Sequence, residues 1–502
     1  MTKPTSSVAI PGFNPDPSLC QAGEDYFLAT STFEYTPGVP IYHSRDLSNW
    51  SLIGHALSRP TQLLLRGTEA GGGIFAPTLR YHKGRFYMAT CIIYNRKTVV
   101  SDEARVSVRI IDPKQCADAR GFYVWTEDIF DEASWSDPVY FDQLGIDQDV
   151  GTPLPTFQSS TLNLQLFFDD DDRVYLSTSR WIEPYLPFPS LSAAIHTSEI
   201  DISTGRSLTN PVILRESPTR CAKGPHIYKI KGWYYLMTAE GGTAESSSVC
   251  IYRSKSVFGP YENGPNPIVC NRLHPTVRNT NHADIVQDKQ GNWIIFFIAC
   301  RLQAHGGMPL GRETFRSTMT FDDDGWPVVN DGRDVELTNP NPALAPQHTA
   351  KSWREDFVSS KLYNNATSRR PRADLPAKGL SLGWYRLRTP VKCDHSLTER
   401  PGWLALRGNA WTLRDLEAPA LLLRKQYCPM GTWSTLIDFE PTTSNVEAGI
   451  TIYWSLYAYG AILIRRGDTP GSRTVILRWT DEKAEEPKVS NNDSRQNRSS
   501  AC

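Results

Sequence analysis

An all-β fold, a five-bladed β-propeller followed by a β-sandwich, is what this 502-residue sequence predicts. Three observations carry the prediction. A short strand-like segment recurs five times between Tyr26 and Ile298. Helical periodicity is nearly absent over the same stretch. The pattern then changes beyond Trp353.

The recurring segments are residues 26–31, 86–91, 174–179, 233–238 and 293–298. Each follows a Gly or Asp by a few residues (Gly23 and Asp25, Gly84, Asp172, Gly232, Gly291), the mark of a hairpin. Ahead of each hairpin stands another short segment with polar residues. These are Asp16-Pro-Ser, Ala76-Pro-Thr-Leu, Leu166-Phe-Phe-Asp, Gly224-Pro-His-Ile-Tyr and His282-Ala-Asp-Ile-Val. Five such units read as five blades, each with that segment as its innermost strand. Polar residues at the strand starts would then converge on one central funnel.

The propeller is expected over residues 1–337. Residues 338–352 form a Pro-rich linker. Strands at 421–425, 434–439, 448–454, 460–465 and 473–479, joined by tight turns, read as a β-sandwich over 353–480. Residues 481–502 are polar and expected to form a disordered tail.

Composition excludes several function classes. Lys+Arg total 53 and Asp+Glu 54, so neither nucleic acid nor a membrane surface is an expected partner. Aromatic residues make up 11%; they build cores and also stack on sugar rings. Residues 1–8 hold no apolar core of a secretory signal, so a cytoplasmic location is expected. No apolar run reaches membrane-spanning length. The 10 cysteines are scattered, without a CxxC pair. They read as free thiols in a reducing compartment, not as a zinc site.

The most informative stretch is Ile10-Pro-Gly-Phe-Asn-Pro-Asp16-Pro-Ser18. An Asp between two prolines has little backbone freedom. Such rigidity suits a carboxylate that must hold one position and act as a base. The same residues also favour a plain surface turn, so on this stretch alone both readings stand.

Taken together the motifs resemble glycoside hydrolase family 43, in its β-xylosidase and α-L-arabinofuranosidase branch. The resemblance spans residues 8–480. It includes the stretch around Asp16, Gly73-Ile-Phe-Ala-Pro77, Trp135-Ser-Asp-Pro138, Phe167-Phe-Asp-Asp-Asp171, Gly224-Pro-His-Ile-Tyr-Lys229, Asn281-His-Ala-Asp284 and Leu310-Gly-Arg-Glu-Thr-Phe315. It implies an exo-acting, inverting glycosidase on xylo- or arabino-oligosaccharides, with a propeller and a sandwich. Inversion uses carboxylates roughly 6.5–9.5 Å apart, with a water between. The resemblance places the general base at Asp16. It places a second carboxylate, which tunes the acid's pKa and orients substrate, at Asp147, with Asp149 a close competitor. Arg312 would hold sugar hydroxyls. Phe75 and Phe33 would form stacking walls, and His226 would support the acid position among the substrate-side residues. His282 would sit on the propeller axis, beside a possible structural calcium. No other cofactor is implied. The partner is a small oligosaccharide, and a homo-oligomer is compatible with the family.

Three departures from the family pattern matter. The position of the family's general acid, a Glu directly before Gly-Pro-His, is held by Lys223. A lysine is ordinarily an ammonium at neutral pH, and a fixed positive charge opposes an oxocarbenium-like transition state. Impaired catalysis is therefore expected. A natural pseudoenzyme, an engineered or mistaken residue, and another acid such as Glu240 or Glu216 all remain open. Second, residues 150–165 (VGTPLPTFQSSTLNLQ) intervene where the family runs almost directly into Leu166-Phe-Phe-Asp. They are expected to form an exposed, irregular, poorly packed segment, as a true loop or a short intron retained in frame. Third, the sandwich of relatives usually runs longer, so final strands and any loop they send toward the pocket are expected to be missing.

Overall fold

A computed structural model describes residues 6–94, 120–142, 162–181, 193–217, 222–337, 353–357, 380–480 and 488–492. Residues 338–352, expected as a linker, lie outside them, as do Asp147 and Asp149. Among the described residues, no helix is long and apolar enough to cross a membrane.

Five antiparallel sheets form the blades. Blade one comprises Ser18–Ala22, Asp25–Ala29, Gly38–Ser44 and Ser51–Leu57. Blade two comprises Gly73–His82, Arg85–Ile93, Arg120–Thr126 and Val139–Tyr140. Blade three begins with Leu162–Phe168, Val174–Trp181 and Ala193–Asp201. Blade four comprises Lys223–Ile230, Trp233–Glu240, Ser248–Ser254 and Glu262–Asn263. Blade five comprises Val277–Gln287, Trp293–Arg301 and Arg312–Phe321, with Ser6–Ile10 as a further strand. The start of the chain thus pairs with the last blade (Val8 opposite Phe315), so one sheet is built from both ends of the propeller. The first-named strand of each blade neighbours that of the next, and blade five's neighbours blade one's. Apolar side chains fill the space between blades. Phe27, Ile41, Leu79 and Phe86 join blades one and two, and Met237, Ile251, Ile285 and Phe297 join blades four and five.

The inner strands share a four-residue pattern: Asp16-Pro-Ser-Leu19, Ala76-Pro-Thr-Leu79, Asn163-Leu-Gln-Leu166, Gly224-Pro-His-Ile227 and His282-Ala-Asp-Ile285. Its first residue is left-handed in every blade, with φ of 56° at Asp16, 41° at Ala76, 56° at Asn163, 57° at Gly224 and 44° at His282. Asp, Asn and Gly take this conformation most readily. The register of the inner hairpin slips at this place in blades two to five. A bulge of this kind re-aims a side chain. The third and fourth positions (Ser18, Thr78, Gln165, His226, Asp284; Leu19, Leu79, Leu166, Ile227, Ile285) are all buried.

This pattern corrects the expectation for residues 150–165. Residues 150–161 lie outside the described residues, but Leu162–Phe168 is blade three's inner strand. Leu164 is 1% exposed and Gln165 0%. The Gln165 amide donates to the Ile227 carbonyl at 3.2 Å and accepts from the Ile227 N–H at 2.8 Å. Alternation through Leu162, Leu164 and Leu166 suits a strand with one packed face, so blade three's polar segment begins at Asn163, ahead of Leu166.

In the C-terminal domain, Ala448–Ser455, Ala458–Arg466, Arg473–Trp479 and Lys488–Asn492 form one sheet. The expected tail therefore contributes a strand, because Lys488–Asn492 pairs along Arg473–Trp479. The strand expected at 434–439 is absent: those residues pair with no neighbour, and Leu436 is 78% exposed. Trp384–Leu387 bridges the domains, pairing with Leu423–Arg424 on one side and with Tyr35–Thr36 on the other. Buried Arg388 extends the seam, its N–H donating to the Glu34 carbonyl at 2.7 Å and its Nε to Thr68 at 2.8 Å.

Candidate active site

Asp16 sits at the entrance of blade one's inner strand, 5% exposed. Its flanking prolines and left-handed φ restrict the backbone around it. Ser31, at the far side of the adjoining hairpin, donates to its Oδ2 at 2.7 Å, while the Ser31 Oγ accepts from the Ala76 N–H at 2.7 Å. The base candidate is thus tied to blade two through one hydroxyl. Arg312 Nη1 lies 3.6 Å and His282 Nδ1 3.8 Å from Asp16 Oδ1. Burial raises the pKa of Asp16, but Arg312, His282, the Ser31 hydroxyl and Lys223 together outweigh it and hold the carboxyl below its usual value. Asp16 is therefore ionised, with the Arg312 guanidinium beside it, and can accept a proton.

Lys223 opens blade four's inner strand, half-buried, close enough to bear on both Asp16 and His282. Gly224 follows. A Cβ on it would lie 2.6 Å from His282 Nδ1, so the His282 ring occupies space that any other residue at 224 would claim. Burial lowers the pKa of His282, and Arg312 and Lys223 add to that against Asp16.

Phe33 and Phe75 pack edge to face at 4.6 Å, Phe13 joins Phe33 at 5.6 Å, and the Arg312 guanidinium lies 5.1 Å from the Phe33 ring centre. Both candidate walls are largely buried in this cluster. Arg312 retains about a quarter of its side-chain exposure, so the group opens to solvent there.

Beneath these residues lies a network that sequence reasoning missed. Asp284 accepts from Ser18 Oγ (2.8 Å), the Leu19 N–H (2.9 Å), Arg80 Nη1 (2.9 Å) and Tyr228 (2.6 Å). Burial opposes its ionisation, but Arg80, His226 and the Tyr228 hydroxyl hold it well below the carboxylate range. Arg80 also donates to His226 Nδ1 at 2.7 Å. Burial pushes His226 down to about 3, so it is neutral and faces Arg80 instead of a sugar. It lies three residues after Lys223 on the same strand. The usable signal was the polar third position of the four-residue pattern, which places Ser18, His226 and Asp284 together. Among the described residues no group of three His, Cys, Asp or Glu gathers, at His282 or elsewhere.

Glu240, the alternative acid, is 2% exposed. It accepts from Tyr252 at 2.6 Å, Thr238 at 3.1 Å and Ser217, with Arg215 at 3.5 Å. Its oxygens are committed to partners on blades three and four. Glu216 is exposed on an edge strand.

The C-terminal domain reaches Asn14, two residues before the base candidate. Lys425 Nζ donates to Asn14 Oδ1 at 2.6 Å, and Tyr42 donates to the same oxygen at 2.7 Å. Part of Lys425 still meets solvent, but enclosure of its ammonium pushes its pKa down to about 7. The Asn14 N–H donates to the Arg312 carbonyl at 3.0 Å. Gly12, with φ +80°, admits the Gln426 carbonyl where a Cβ would stand 2.4 Å away.

Comparison with known proteins agrees with this arrangement. The family described as "Glycosyl hydrolases family 43" matches residues 5–327. The "Beta xylosidase C-terminal Concanavalin A-like domain" matches residues 372–498. A non-reducing end α-L-arabinofuranosidase of Bacteroides ovatus is 35% identical over 479 residues, covering 94% of this chain and 77% of that protein. A xylosidase/arabinosidase of Humicola insolens is 33% identical over 456 residues, covering 90% and 74%. The crystal structure of a xylan β-1,4-xylosidase from Bacillus halodurans superposes with a TM-score of 0.74 at 28% identity, covering 95% of this chain and 83% of that one.

Proposed function

The chain belongs to glycosyl hydrolases family 43, and on that premise we propose that it is an inverting exo-glycosidase of pentosides working with a poor proton donor. Its substrate class is β-1,4-xylo-oligosaccharides or α-L-arabinofuranosides. One observation carries the reading: a buried, ionised Asp16 faces Arg312 and His282 at the head of converging strands, with Lys223 at the acid's place. In this scheme Asp16 takes a proton from a water that attacks the anomeric carbon. Arg312 binds sugar hydroxyls. The leaving oxygen must be protonated from the Lys223 side, where a lysine stands in place of a carboxylic acid. Loss of general acid catalysis costs on the order of 10²–10⁴ in rate. The free thiols of Cys20, Cys91, Cys250, Cys270, Cys300, Cys393 and Cys428 fit a reducing, cytoplasmic setting.

Stereochemistry tests the reaction class. With 4-nitrophenyl β-D-xylopyranoside, proton NMR should detect α-xylose as the first sugar released. First appearance of β-xylose would rule out inversion. Lys223 also favours a second reading, a sugar-binding pseudoenzyme. Calorimetric binding of xylose without turnover of any aryl pentoside would support it.

A further inference from the structure

We propose that Asn163 is the blade-three member of the sugar-facing ring, standing where the second carboxylate of the site is expected. The inference rests on the reading of this site as a pentoside site. Four of the five left-handed residues already meet. Asp16 and His282 approach to 3.8 Å. Gly224 leaves the space that the His282 ring fills. The Ala76 N–H binds the hydroxyl that holds Asp16. The fifth is Asn163, with φ 56° and 8% exposure. Its strand is fixed from both sides. Thr78 of blade two donates to the Leu164 carbonyl at 2.5 Å, and Gln165 holds Ile227 of blade four.

Spacing explains why an amide stands there. Asp16 lies three residues before Leu19, and Asn163 three before Leu166. Without residues 150–165, Asp147 would lie three before Leu166. The intervening segment therefore hands the blade-three position to Asn163. An amide hydrogen-bonds a sugar hydroxyl as donor or acceptor, but it carries no charge with which to raise an acid's pKa. The site then departs from its family at two positions, Lys223 and Asn163.

The test uses the full chain. Calorimetric xylose affinity should fall about tenfold in Asn163→Ala, the loss of one hydrogen bond worth about 1.4 kcal/mol. In the Lys223→Glu chain, adding Asn163→Asp should raise kcat on an aryl xyloside by on the order of tenfold. Unchanged affinity and kcat in variants that melt like their parents would overturn the proposal. If neither the unaltered chain nor Lys223→Glu binds a pentose, the glycosidase reading has failed, and the placement is judged separately. The His282 ring, which faces Asp16, Arg312, Lys223 and Asp284, would be titrated by NMR. Asn163→Asp should raise its pKa, and no shift would refute the placement.

Discussion

Asp16 is held by three constraints at once: two prolines, a left-handed backbone and the Ser31 hydroxyl. Its lowered pKa has a definite sign. The fold favours the ionised form, so the associated stability is present above the ordinary Asp value of about 3.9 and is lost as pH falls through the lowered folded value. The same shift keeps the base competent in acid. A kcat/KM profile on an aryl pentoside should therefore keep its acid limb below about pH 4; a limb near 6 would mean that another group acts as base. At Gly224, Ala would meet the His282 ring and be strained by φ +57°. Gly224→Ala should cost about 1–3 kcal/mol in urea unfolding. The rigidity of Asp16 was legible because proline constrains locally. The Arg80–Asp284 pair was not, because 204 residues separate its members and nothing local marks the partner.

At the scale of elements, Leu162–Phe168 is the place where sequence and structure differ most. Its first half lies inside a segment foreign to the family pattern, yet it does the work of an inner strand. Leu162-Asn-Leu-Gln-Leu alternates as a strand should, but Ser, Thr and Pro just upstream obscure that signal. Leu164 joins a cluster with Phe75, Tyr87 and Leu176. Leu164→Ala should thus lose about 2–5 kcal/mol, measured by thermal or urea unfolding. A loss below about 1 kcal/mol would suit an exposed loop instead. The C-terminal domain yields a different prediction. Lys425→Met keeps the alkyl stem but removes the bond to Asn14, two residues from Asp16. A slightly misplaced base affects chemistry more than binding, so kcat should fall about tenfold with KM nearly constant. A rise in KM at constant kcat would assign Lys425 to binding.

For the whole molecule, the propeller was legible because a blade is a local hairpin unit repeated five times, and each repeat states the same pattern again. The C-terminal domain was less legible. Its expected strand at 434–439 carries the alternation but finds no neighbour, and its true fourth strand hides in a polar stretch. Assembly of the site was legible only as convergence. Asp16, Lys223, His282 and Arg312 come from three blades, and their separations follow from the axis they share. On the proposed reading, Lys223 stands where the family's general acid would be. A nitrophenolate leaves with little protonation, whereas a sugar alkoxide needs a proton from the enzyme, so the defect should weigh more on natural substrates. The most direct measurement compares 4-nitrophenyl β-D-xylopyranoside and xylobiose on the unaltered chain and on Lys223→Glu. The unaltered chain should hydrolyse the first weakly and the second more weakly, with Lys223→Glu gaining on both and more on xylobiose. Turnover of xylobiose by the unaltered chain at an ordinary enzyme rate, of order 1–10³ per second, would contradict that expectation.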